Sequence, residues 1–139
     1  VEAAMPDWSI KFVPAQHPTP DVHADFLLDV PHAKRNAPVK VFSGDNVSWN
    51  NATQEDHWPW LFDTVDPKNS DPTKRAQPQT AQPQPLSGGA LHPRTPTPLY
   101  PVSAEDGSVI YFCCLLHPME FACIVVVPPG SSSGAGATV

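Results

Sequence analysis

The chain has 139 residues, 19 of them proline, and a formal net charge of −6. That length fits one domain with a single modest core, and a proline share far above the usual ~5% excludes long helices in favour of strands, turns and loops. Eight Lys and Arg residues in no long run argue against a nucleic-acid partner, whose phosphates need neutralising, and no run of about 20 apolar residues offers a membrane span.

In chain order, Trp8-Ser-Ile-Lys-Phe-Val13 alternates apolar with polar residues and predicts an opening strand. Pro14, Pro18, Pro20, Pro31 and Pro38 make the following segment read as loop, with at most one short strand around Phe26-Leu-Leu28. Val39-Lys-Val-Phe42, a Gly44-Asp45-Asn46 turn and Val47-Ser-Trp49 read as strand, tight turn, strand, because the turn residues tolerate positive φ. Residues 66–101 are proline-rich around Gln77-Pro-Gln-Thr-Ala-Gln-Pro-Gln-Pro85 and bury too little apolar surface to offset their ordering. They are expected to form a long loop insertion on the surface. Ser108 to Cys114 and Ile124 to Val127 read as strands, and residues 129–139 as a flexible, linker-like tail. The expectation is an all-β sandwich of one domain, residues 1–128, with loops at its two ends.

The chemistry concentrates in Tyr111-Phe-Cys-Cys-Leu-Leu-His-Pro-Met119. Strand alternation puts Ile110, Phe112 and Cys114 on one face and Val109, Tyr111 and Cys113 on the other. Cys114 then ends the strand facing the core, and the Leu115-Leu116 turn presents His117 to the same point. Thiolate, imidazole and the thioether of Met119 are the ligand types of a mononuclear blue-copper site, given a second histidine. His57 is the candidate, shortly after the strand of Trp49. Leu115, Leu116, Pro118 and Phe121 would exclude water, which tunes the potential and protects the thiolate. His17, His23, His32 and His92 lie among prolines and are expected to face solvent.

Two blocks carry a family resemblance. Gly44-Asp45-x-Val47-x-Trp49-x-Asn51, five further residues and His57 form one; Tyr111-Phe112-x-Cys114-x-x-His117-Pro118, ending in Ile124-Val-Val, forms the other. Together they resemble the cupredoxin (type 1 copper) family, in its amicyanin- and plastocyanin-like branch. The resemblance implies a Greek-key β-sandwich with one copper ion, cycling Cu(I) and Cu(II), held by His57, Cys114 and His117. It also implies that Asn51 ties the two ligand-bearing segments together, with Phe112 and Pro118 backing the ligands. The axial position departs from the pattern: the family's short loops place Met three residues after the histidine, where this chain has Glu120. Either Met119, one residue early, supplies a long axial bond, or Glu120 turns inward. Met119 is preferred, with Glu120 as a solvated loop charge.

Cys113 and Cys123 could form a disulfide across the base of the loop, since hairpin strands can bring Cα atoms within the ~7 Å a disulfide needs; two packed thiols are the alternative. Trp58 and Trp60, with Leu115, Leu116 and Phe121, offer an apolar rim where a redox partner protein would dock. The function expected is electron transfer between partners by a small monomeric carrier, not an enzyme, since no paired catalytic carboxylates, nucleophile triad or phosphate loop is apparent. A copper-delivery module is the alternative, followed by a metal-free or zinc-binding interaction domain. The start, Val1-Glu-Ala-Ala4, suits an exported, periplasmic or extracellular protein whose signal has been removed. Three cysteines cannot all pair, so in such a compartment one is a thiol or a metal ligand.

Overall fold

The computed structural model describes residues 7–62 and 83–128. The remaining residues, including the expected tail and residues 66–82 of the expected insertion, lie outside the described part. Nine strands are present there: β1 (Asp7–Thr19), β2 (Val22–Leu28), β3 (Val39–Val41), β4 (Asn46–Asn51), β5 (Pro59–Phe62), β6 (Pro83–Pro85), β7 (Tyr100–Pro101), β8 (Val109–Cys114) and β9 (His117–Val126). They form two sheets, ordered β2-β1-β4-β7 and β3-β9-β8-β5-β6.

The first sheet begins with a hairpin that the prolines concealed. β1 runs on through Pro14 and Pro18 and turns at Pro20-Asp21 into an antiparallel β2, with a register irregularity between Pro14 and Thr19. Proline cannot donate to a ladder, yet here it does no harm. The parallel partner β4 reaches only from Asp7 to Phe12 on β1, so beyond Phe12 that flank of β1 has no partner strand among the described residues. Asn36, at φ 58°, closes the outer edge of β2. Its backbone N–H donates to Phe26 O at 2.7 Å and its side-chain oxygen accepts from Phe26 N at 2.8 Å. A single residue therefore mimics a strand partner.

The turn at Gly44–Asn46 forms as expected but makes no hairpin, because β3 and β4 lie in different sheets. Gly44 has φ 96°, a conformation that glycine adopts at no steric cost. Asp45 is fully buried there and accepts from Trp8 Nε1 and Phe42 N, both at 2.9 Å. This carboxylate stitches the crossover to both layers.

Inward-facing residues of the two sheets make the core: Ile10, Phe12, Phe26, Val47 and Trp49 from one, Val41, Leu61, Phe112 and Ile124 from the other. Phe112 meets Phe26 and Trp49 edge-on, at centroid distances of 4.8 and 5.2 Å. Burying each such side chain stabilises the fold by about 1.5–3 kcal/mol. The second half of the proline-rich stretch is woven into the sheets: β6 pairs with β5, β7 with β4, and single bridges join Pro96 to Asn50 and Leu91 to His57. Residues 83–101 are thus part of the sandwich rather than a free excursion.

Candidate metal centre

Three local devices bring the site together. Cys114 ends β8 facing the core, with no exposure. Its ladder partner on β9 shifts abruptly: Cys113 pairs with Phe121, but Cys114 pairs with His117. Pro118, Met119 and Glu120 are therefore extra residues on β9, bulging out of register. The bulge places His117 beside Cys114 and re-aims Glu120. The third device is Leu91, whose backbone exchanges two hydrogen bonds with His57, at 3.1 and 2.7 Å, just before β5 begins.

Cys114 Sγ lies 3.6 Å from His57 Nδ1 and 4.0 Å from His117 Nδ1. Metal–sulfur and metal–nitrogen bonds of about 2.3 and 2.0 Å would set such donors roughly 3.5 Å apart in a tetrahedron, so the spacing fits one ion. Glu120 joins them: Oε1 is 3.3 Å from His57 Nδ1 and Oε2 is 3.6 Å from His117 Nδ1. The four donor atoms all lie within 4.8 Å of one another. The backbone N–H of Trp58 donates to the sulfur at 3.4 Å.

The surroundings are dry and rigid. The ring of His57 stacks on Phe12 at 4.7 Å and 14°, and its outer nitrogen, Nε2, is buried without a hydrogen-bond partner. Packing against Phe12 on the ring face and the Nδ1 contacts with Cys114 and Glu120 hold this imidazole in place. Burial alone would depress its pKa, but the adjacent Cys114 sulfur and Glu120 carboxylate prevail and raise it to about 9. The pocket thus attracts positive charge. Burial, reinforced by the negative charges of Cys114 and Glu120, pushes the Cys113 thiol well above its usual range.

His57, Cys114 and His117 converge as the sequence predicts. Glu120 does not behave as the solvated charge expected of it: it is 2% exposed. Its Oε2 accepts from the backbone N–H groups of His23 and Ala24, at 2.6 and 2.9 Å. These two residues open β2 in the opposite sheet, 96 and 97 positions away, and nothing in the sequence signalled their role. The ring of His23, expected to face solvent, packs on His117 at 4.2 Å and is also held by Glu55, at 3.1 Å. The side chains of Met119 and Pro118 lie outside the described part.

Asn51 is placed differently from its expected role. Its amide donates to Glu55 O and Leu91 O, at 2.6 and 2.9 Å, and its oxygen accepts from the N–H and hydroxyl of Thr53. Those four bonds use its capacity. It closes the loop leading to His57 and does not reach the Cys114 strand. No disulfide joins Cys113 to Cys123: the register sets Cys113 against Phe121 and Cys123 against Tyr111, two residues out of step. Trp60 and Phe121 pair with Cys113 and so lie on the sheet face turned away from Cys114, where Trp58 meets Trp60 edge-on at 5.3 Å. Of the expected docking residues, Leu115 and Leu116 occupy the turn next to His117, and Leu116 is 47% exposed.

No helix of the described residues is long and apolar enough to cross a membrane. No family model matches the sequence, and no curated protein matches it significantly. Solved structures do match. A purple cupredoxin from Nitrosopumilus maritimus is 13% identical with a TM-score of 0.51, over 85% of this chain and 97% of that one. Reduced rusticyanin is 14% identical with a TM-score of 0.53, over 91% of this chain and 81% of that one. With its two mixed sheets and no helix among the described residues, the chain is a β-sandwich of cupredoxin-like fold.

Proposed function

We propose that this protein binds one copper ion through the Cys114 thiolate and the Nδ1 atoms of His57 and His117, and carries electrons between redox partners. The observation that carries the reading is the convergence of two imidazole nitrogens on one sulfur, at 3.6 and 4.0 Å, at a point where His57 and Cys114 have no exposure. That donor set belongs to copper electron-transfer sites, and rusticyanin, a copper protein of similar fold, accords with it. Copper so bound supplies a one-electron couple. The chain's own contribution is to hold the donors still: Phe12 fixes the His57 ring, the Trp58 N–H fixes the sulfur, and His23 braces His117. A rigid set of donors changes little between oxidation states, which suits repeated exchange without substrate chemistry.

His117 is the donor nearest the surface, its side chain 20% exposed while those of His57 and Glu120 are sealed. Electrons would pass at its edge, beside exposed Leu116, where a partner protein could press against apolar surface. Adding Cu(II) to the purified protein tests the reading. An intense visible band from sulfur-to-copper charge transfer is expected, lost in Cys114→Ser and kept in Cys113→Ser and Cys123→Ser. A protein that takes up Cu(II) with no such band is not this carrier. Colour with very slow electron exchange would instead indicate copper delivery.

A further inference from the structure

Within the copper reading, and resting on it, we propose that the carboxylate of Glu120 is the fourth donor. The site would then be a carboxylate-ligated one, poised to favour Cu(II). The two oxygens of Glu120 are differently committed. Oε2 is saturated by two backbone donors from His23 and Ala24. Oε1 faces the other donors and is buried with no backbone donor, met among the described residues only by His57 Nδ1 at 3.3 Å. A bare carboxylate oxygen in a sealed interior is costly unless a donor or a cation meets it. A cation at the centre of the four donors meets it directly.

The strand geometry supports the same assignment. The bulge of Pro118 to Glu120 turns the carboxylate into the core, and the opposite sheet then clamps it. A side chain anchored from the far layer cannot swing out to solvent without breaking two backbone hydrogen bonds. Oxygen is a harder donor than thioether sulfur and stabilises Cu(II) relative to Cu(I). The reduced protein is therefore a ready electron donor, suited to an acceptor of higher potential.

The test is copper-loaded Glu120→Gln beside Met119→Leu, read by the visible spectrum, electron paramagnetic resonance and the midpoint potential. Glu120→Gln should lower the preference for Cu(II) over Cu(I) at least about tenfold, a rise of about 59 mV for a one-electron couple, and shift the charge-transfer band. Met119→Leu should leave both in place. Because Glu120→Gln also loses part of the His23 and Ala24 clamp, a crystal structure of the copper-loaded natural chain provides the second measurement, with Oε1 at bonding distance. An unchanged potential in a folded Glu120→Gln, or a sulfur of Met119 in the fourth position of that crystal structure, overturns the assignment while leaving the copper reading intact. Absence of any sulfur-to-copper band in the natural chain removes both.

Discussion

Replacing Asn51 by Ala should cost this protein much of its stability, and the bonds around it set the size of the loss. Four hydrogen bonds vanish, but they are not equivalent. Glu55 O still accepts from the Thr53 hydroxyl at 3.0 Å, and Leu91 O still accepts from His57 N at 3.1 Å. The N–H of Thr53 has Asn51 Oδ1 as its acceptor and is left stranded in a residue only 5% exposed. One abandoned donor costs about 1–3 kcal/mol, and the lost bonds with surviving neighbours about 0.5–1 kcal/mol each. The sum is about 2.5–6 kcal/mol, or roughly 10–20 °C in Tm for a chain of this size. Denaturant titration of the metal-free protein measures it. Copper affinity should fall as well, because Asn51 closes the loop that delivers His57. A loss below about 1 kcal/mol would refute the reasoning, showing that the loop holds its shape without this side chain.

Two further outcomes follow from the same packing. Phe112→Ala removes the ring that meets both Phe26 and Trp49, and should destabilise by about 3–5 kcal/mol in calorimetry of the metal-free protein. Survival with an unchanged Tm would mean the layers are held elsewhere. The metal-free protein should also lose stability in alkali: His57 is raised from 6.5 to about 9, so its contribution is complete below about pH 6.5 and disappears as pH climbs through about 9. Copper binding must expel that proton, so affinity should climb across the same window. Denaturant midpoints and copper titrations at pH 6, 8 and 10 check both; a His57→Gln variant should flatten the stability trend.

The three candidate donors were legible because their signals are local. Cys114 and His117 are three residues apart on one hairpin, and His57 follows a strand whose alternation through Val47 and Trp49 is plain. What escaped the sequence depends on partners far along the chain. Glu120 reads as an ordinary loop charge until β2, nearly a hundred residues earlier, supplies two amides. The prolines of β1 and of residues 83–101 look like loop because proline weakens strands on average, while here they sit beyond the end of a partner or in short edge pieces. The Cys113–Cys123 disulfide failed on register alone: the sequence does not tell where in the hairpin the three-residue bulge falls, and one bulge decides which cysteine faces which neighbour.

The order in which strands meet carries a further consequence. β3 lies parallel to the last strand, with Val39 beside Ile124 and Val41 beside Val126, and every donor except His57 arrives on the final hairpin. Contacts so distant in sequence form slowly. During synthesis His57 therefore stays apart from Cys114 and His117 until this hairpin docks, and the proposed copper donors assemble only then. Truncation ahead of residue 117 should leave a chain that neither completes its second layer nor concentrates copper.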